Sequence, residues 1–258
     1  EVGVSLQRAI ELTSQFTLVR EDETIPLITA SGRTLFEDLI STVDDPRFDN
    51  SAMDGWAVRK ADCKELGAIL RIVGTSQAGS EEIPTVDVGE ACRIMTGAPL
   101  PLGADAIVMV EDSTVVGDKV RIDGPARPGF IRWKGENLTR KTVALRAGTI
   151  MNPASVSLAA TMGHANIKVV RKPNIAVIGV GDELTPPGEP LSESSIYESN
   201  TFGLSSLVEK MGGNPRRLDL IKDSMDLLRE TLDEAAASCD AILTSGGVSM
   251  GNGTLFEG

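Results

Sequence analysis

The stretch from 174 to 245 narrows the available folds most. Asn174-Ile175-Ala176-Val177-Ile178-Gly179 is a continuous apolar run of buried-strand length. An amphipathic helix is expected over Asn200 to Met211, closed by Gly212-Gly213. Arg217-Leu218-Asp219-Leu220-Ile221 reads as a second strand. Ser224 to Ser238 reads as a second helix, with Met225, Leu228, Leu232 and Ala235 on one face. Asp240-Ala241-Ile242-Leu243-Thr244 is a third strand, followed by Ser245-Gly246-Gly247. Strands alternating with helices in this way are the unit of an open parallel sheet, because a crossover helix lets successive strands run in one direction.

The pattern upstream is different. Leu6, Ala9, Ile10, Thr13 and Phe16 recur at helical spacing after a possible N-cap at Ser5. Ile25 to Ile28 reads as extended, Ala30 to Leu39 as a short second helix, and Ser41 to Asn50 as a linker around Pro46. Short strand patterns then follow at Gly55 to Arg59, Ala68 to Val73, Ala91 to Met95 and Ala106 to Val110. A hairpin is expected around Gly117-Asp118. These point to a small all-β domain between about 55 and 125. Val143 to Ile150 is strand-like. Pro153 to Met162 is helical, with Asn152 as N-cap and Pro153 at the first helical position.

Composition removes several function classes. With 37 Asp+Glu against 25 Lys+Arg, the formal charge is -12, and no cluster of basic residues appears. Binding to nucleic acid or to an anionic membrane is therefore not expected. Among 258 residues there is one histidine, His164, which excludes a multi-His zinc site. No Gly-x-Ser-x-Gly elbow is present to complete a hydrolase triad with it, and it reads as a turn or surface residue. Cys63, Cys92 and Cys239 are odd in number and far apart, which suggests reduced thiols and a cytoplasmic location. No apolar run approaches the ~20 residues of a membrane span.

In an open parallel sheet, ligands bind beyond the carboxyl ends of the strands. Gly179-Val180-Gly181-Asp182-Glu183-Leu184 lies at one such end. It lacks the third glycine of a dinucleotide fingerprint, and a Pro-rich loop follows it instead of a helix. Asp182 and Glu183 suit a divalent cation or a cation-bridged phosphate, or are simply a solvated acidic turn. Thr244-Ser245-Gly246-Gly247-Val248-Ser249-Met250-Gly251 lies at another strand end. It can cradle an anion with backbone N–H groups and hydroxyls, or serve as a tight capped turn. Two further stretches, Phe48 to Val58 with Ser51-Ala52-Met53-Asp54-Gly55, and Ile94 to Asp105 with Met95-Thr96-Gly97-Ala98-Pro99, read on their own as structured turns.

Together and in this order, these four stretches resemble the molybdopterin molybdenumtransferase family of the MoeA type, which includes the gephyrin E domain. Gly129 to Leu138 and Ile196-Tyr197-Glu198-Ser199-Asn200 extend the resemblance, which runs from about residue 5 to Gly251. It implies a multidomain α/β and β protein. A discontinuous mixed N-terminal domain (1–40 plus 126–168) would carry an inserted β domain (41–125). A molybdopterin-binding three-layer α/β domain with a mostly parallel sheet (169–258) would follow, truncated here. The activity implied is insertion of molybdenum from molybdate into adenylylated molybdopterin with release of AMP, assisted by Mg2+. The partners implied are a second copy in an elongated homodimer and the molybdopterin adenylyltransferase.

By motif, the resemblance makes Asp54, Thr96, Glu183 and Asp223 catalytic positions. Glu183 and Asp182 become metal ligands, and Ser245, Gly246, Gly247, Ser249 and Asn137 substrate-binding residues. Three motifs depart from the family. Gly-Glu-Asp-Ile becomes Gly135-Glu136-Asn137-Leu138, so an amide replaces a carboxylate. Val180 stands where many members carry a threonine, and Glu198 replaces an aspartate. After Gly251 the lysine-bearing segments of the family do not follow. The chain is therefore expected to represent a member without its C-terminal part. Because of Asn137 and Val180, a non-catalytic pterin-binding or scaffold relative is the alternative. An adenylyltransferase-like enzyme built on the α/β part would leave the N-terminal half unexplained.

Overall fold

A computed structural model describes residues 4–15, 19, 21–80, 82–222 and 224–246. The chain divides into two compact units. One, the β-rich unit, comprises 26–29 and 37–167. The other, the α/β unit, comprises 1–25, 30–36 and 168–258.

The β-rich unit is organised by a six-stranded sheet of β1 (Gly55–Val58), β2 (Ala68–Ser76), β3 (Glu90–Ile94), β4 (Ala106–Met109), β5 (Ser113–Val116) and β6 (Lys119–Ile122). The strand order is β4-β1-β3-β2-β6-β5. All neighbours are antiparallel except β2 and β3. Side chains alternate between the faces of a strand, and both faces of the central strands are covered. Trp56, Val58, Ala91, Ala106 and Val108 pack on one face. Ala57, Cys92, Ile94 and Ile107 pack on the other with Val86, Ala98 and Ile131. The expected hairpin is present, since Val116 pairs with Lys119 across Gly117-Asp118.

The predicted helix over Ala30 to Leu39 does not form. Residues 27–29 make a single 3-10 turn, and Gly32 turns the chain at φ +78°. Leu39-Ile40 instead pairs with Val143–Leu145. Long-range pairing satisfies the backbone groups there in place of helical bonds. Helix Pro153–Thr161 forms as expected, with Asn152 Oδ1 accepting the Ser155 N–H at 2.9 Å. His164 lies on the turn after it, its Nε2 2.8 Å from the Ile40 carbonyl.

The α/β unit contains β7 (Asn174–Gly179), α1 (Asn200–Lys210), β8 (Asn214–Arg217), α2 (Met225–Ser238) and β9 (Ala241–Ser245). The strands run parallel in the order β8-β7-β9. Ala176, Ile178, Leu228 and Ala235 form its core with Val180 and Ile221. Strand β8 begins earlier than predicted because Asn174 registers with Asn214. Pro215 is tolerated there because β8 is an edge strand among the described residues. The apolar residues that suggested a strand at 217–221 still serve the core. Ile221 is 2% exposed and bridges Val180.

Helix Leu6–Thr13 is capped by Ser5 as expected and has no buried residue. Phe16 lies outside the described residues. All three cysteines are free. No helix among the described residues is long and apolar enough to cross a membrane.

Candidate functional site

The β-rich unit joins two motifs that are 42 residues apart. The Asp54 carboxylate accepts from the Thr96 N–H at 2.6 Å and from the Thr96 hydroxyl at 2.8 Å, both at Oδ1. Gly55, the first residue of β1, permits the close approach of β4, because a Cβ there would lie 2.0 Å from the Val108 carbonyl oxygen. Arg93 on β3 donates to the Gly55 carbonyl at 2.8 Å, with its guanidinium 5.5 Å from the Trp56 ring centre. The Thr96 loop is pinned from below. The Gly97 N–H donates to the Ser51 carbonyl at 2.8 Å, and the Ser51 N–H donates to the Ala98 carbonyl at 3.1 Å. Gly97 has φ +80°, which favours glycine.

The Thr96 N–H, then its hydroxyl, hold the Asp54 carboxyl below the usual carboxylate range, with a smaller contribution from the Arg93 charge. Asp54 is exposed, and Oδ2 has no partner among the described residues. An ionised acceptor with one free oxygen can receive an N–H or O–H from a bound molecule.

The third N-terminal motif meets the first, but among the described residues no hydrogen bond joins Asn137 to Asp54. Ile131 pairs with Ser51 and Arg132 with Asn50. Asn137 turns away to Asp45, its Nδ2 donating to Asp45 Oδ2 at 3.1 Å and its backbone N–H to the Asp45 carbonyl at 3.0 Å. The amide that replaces the family carboxylate thus has a local partner that another carboxylate would repel.

In the α/β unit, two strand-end loops converge. The Val180 N–H donates to the Ser245 carbonyl at 2.9 Å, and the Gly181 N–H to the Ile221 carbonyl at 3.0 Å. A Cβ on Gly246 would lie 2.0 Å from the Val180 carbonyl oxygen, and Gly246 has φ +92°. Glycine is therefore required there on two counts. Val180 is 1% exposed and joins the loops through its backbone, so its side chain belongs to the core.

Asp182 and Glu183 follow on the surface. The Glu183 carboxylate folds back over Gly181, with Oε2 2.6 Å from where a Cβ of Gly181 would stand. Ser245 is half-buried, and its hydroxyl accepts from Asn200 Nδ2 at 2.8 Å. The structure thus brings Ser245 and Gly246 next to the Gly179–Gly181 segment. Asp223, Gly247 and Ser249 lie outside the described residues.

Asn200 and Glu198 had no role assigned from sequence. Glu198 is 2% exposed; its Oε1 accepts the Thr201 N–H and its Oε2 the Thr201 hydroxyl, each at 2.6 Å. A Glu three residues before a Thr at a helix start was the available signal, related to a capping interaction.

Among the described residues, no three His, Cys, Asp or Glu side chains are grouped to hold a metal. Mg2+ needs fewer protein ligands, since it commonly uses one or two carboxylates with substrate phosphates and water. Adjacent, exposed Asp182 and Glu183 supply the one or two carboxylates of that donor set.

Comparison with known proteins places both units. Residues 4–163 match the family described as "MoeA N-terminal region (domain I and II)". Residues 176–255 match "Probable molybdopterin binding domain". The chain is 37% identical over 238 residues to a molybdopterin molybdenumtransferase of Nostoc sp., covering 90% of this chain and 55% of that protein. It is 40% identical over 233 residues to molybdopterin molybdenumtransferase 2 of Mycobacterium tuberculosis, covering 88% of this chain and 58% of that one. The crystal structure of the molybdopterin biosynthesis MoeA protein of Pyrococcus horikoshii superposes with a TM-score of 0.88 at 33% identity. That match covers 94% of this chain and 66% of that one. The chain spans a little over half the length of the curated relatives it matches. It has the multidomain α/β and β fold implied by its sequence and belongs to the molybdopterin molybdenumtransferase (MoeA) family.

Proposed function

We propose that this protein acts in molybdenum cofactor biosynthesis as a molybdopterin molybdenumtransferase, inserting molybdenum from molybdate into adenylylated molybdopterin with release of AMP. The observation that carries this reading is the contact forced by Gly246. It seats Ser245 against the Gly179–Gly181 segment, from which the Asp182-Glu183 turn leaves, at the carboxyl ends of β7 and β9. In a parallel sheet that is where a phosphate-bearing ligand binds.

Ser245 and Gly246, with Gly247 and Ser249 of the same loop, hold the phosphate of the pterin. Glu183 and Asp182 would hold Mg2+, which when bound neutralises negative charge developing on the pyrophosphate. Asp223 adds a further carboxylate to that set. Asp54, kept ionised by Thr96, accepts a hydrogen bond from substrate and orients it. Asn137, tied to Asp45, shapes its loop and contributes no charge. Molybdate is an anionic substrate and needs basic groups, which none of these motifs supplies.

The division into 1–40 plus 126–168, 41–125 and 169–258 belongs to the same reading, supported by a six-stranded sheet contained within 55–122. A homodimer is supported by the apolar residues of helix Leu6–Thr13, where Leu6 is 79% and Ile10 53% exposed. An encounter with the adenylyltransferase that supplies the substrate, and a cytoplasmic location, complete the reading.

The test is AMP release by the full-length protein from adenylylated molybdopterin, with molybdate and Mg2+. Release that needs both additions is expected. Pterin binding without AMP release would favour the non-catalytic alternative, to which the uncharged Asn137 points.

A further inference from the structure

Asn200 occupies a specific place beside the loop just described. It is the first residue of α1, and its side-chain Nδ2 donates to the Ser245 hydroxyl across 45 residues of sequence. No other hydrogen bond reaches Ser245 Oγ among the described residues. A serine hydroxyl has one hydrogen and two lone pairs, whereas an amide NH2 only donates. With Asn200 on a lone pair, the Ser245 hydrogen must point to another acceptor.

The base under Asn200 is rigid. Buried Glu198 clamps the N–H and hydroxyl of fully buried Thr201, each at 2.6 Å. The Glu198 N–H donates to the Thr185 carbonyl at 2.9 Å. Gly179 lets the end of β7 approach this turn, since a Cβ there would lie 2.7 Å from Leu220 Cδ2 and 3.2 Å from Thr201 Cγ2.

We propose that Asn200 is a positioning residue: by donating to Ser245 Oγ it turns the serine hydrogen outward, as a donor for the phosphate of the bound pterin. The inference rests on the reading that the Ser245–Gly246 loop binds that phosphate. Asn200 acts only through Ser245. An aspartate at 200 would reverse the bond, because its carboxylate would accept the serine hydrogen and leave a lone pair facing the anion.

The experiment measures molybdopterin affinity in the full-length protein for S245A, N200A, N200D and the S245A/N200A double variant, with thermal melting as a folding control. S245A and N200A should each weaken binding about tenfold, as for loss of a hydrogen bond to a charged group. N200D should weaken it further, because it adds negative charge beside an anion. The double variant should bind like S245A alone, the non-additivity expected when one residue works through another. All variants should melt near the parent temperature, because Asn200 is exposed and Glu198 and Thr201 are untouched.

Additive losses, or parental binding by N200A and N200D while S245A binds weakly, would overturn the role of Asn200 and leave the loop reading standing. Parental binding by S245A would overturn both.

Discussion

Two carboxylates in this protein are held by the same hydrogen-bond pair and serve different ends. Asp54 and Glu198 each accept from both the N–H and the hydroxyl of one threonine, Thr96 and Thr201 respectively. In the first pair both bonds fall on a single oxygen, Oδ1, across 42 residues, and the carboxylate is exposed. In the second, each oxygen takes one bond within a single turn, and the carboxylate is 2% exposed. Glu198 is spent on its own turn and fixes the start of α1. Asp54 keeps an oxygen for a ligand. A carboxylate–threonine pair therefore reveals a site only when burial and the second oxygen are also known.

The largest test of this contrast is Asp54→Asn. It should lower AMP release about a hundredfold, the scale expected when a positioning contact is lost, with a far smaller effect on the melting temperature, because the amide oxygen of the variant can still accept the Thr96 N–H. An equal loss of stability and activity would make Asp54 a structural residue like Glu198.

Next come the two threonines. Thr201→Val leaves Glu198 Oε2 buried without its donor, and unfolding titrations should show a loss of about 2 kcal/mol. Thr96→Val removes the equivalent hydroxyl at the surface, where water can replace it, and should cause no measurable loss. Similar losses at both positions would erase the distinction.

A third carboxylate extends the comparison to one held by charge. Asp240 accepts from Arg171 at 2.8 and 2.9 Å and from the Asn174 N–H at 2.7 Å. Arg171 above all, and then the Asn174 N–H, hold its carboxyl at about 2. A lowered value means that this interaction stabilises the fold above the unfolded carboxylate value of about 3.9. The contribution is lost as pH falls through about 2. Asp240→Asn should melt below the parent at pH 7, and melting curves should converge between about pH 4 and pH 2. A gap that persists at the acid end would assign the effect to packing.

The smallest effect is expected for Asn137→Asp. It places a second carboxylate beside Asp45 and should cost about 0.5 kcal/mol in a denaturant titration, the scale of exposed charge pairs. Higher AMP release from that variant would show that the amide limits activity rather than fitting its loop.

Much of this was legible in the residue pattern. The order of strands and helices from 174 to 245, the hairpin at 117–118 and the Ser5 and Asn152 caps all rest on short-range periodicity and local hydrogen bonding. Element boundaries were less legible. The apolar run at 217–221 suggested a strand that instead lies at Asn214–Arg217, because pairing with β7 sets the register. The segment from 30 to 39 read as a short helix, but Leu39-Ile40 pairs with Val143–Leu145 instead.

In the β-rich unit Asp54 and Thr96, and in the α/β unit Glu183, Ser245 and Gly246, were named through their motifs, and Asn200 was not given a role. Its signal lies in a contact with Ser245 across 45 residues, and spacing along the chain carries no record of such a contact.

The sequence by itself determined the alternation of elements, the acidic character that disfavours polyanion binding, and the glycines and carboxylates available for chemistry. Those properties are local or compositional. Only the tertiary structure decided that Asp54 keeps a free oxygen while Glu198 has none, that Val180 serves through its backbone, and that Asn137 answers to Asp45. Each of these depends on burial and on which partners the packed chain brings within hydrogen-bond reach, and neither is written in local spacing.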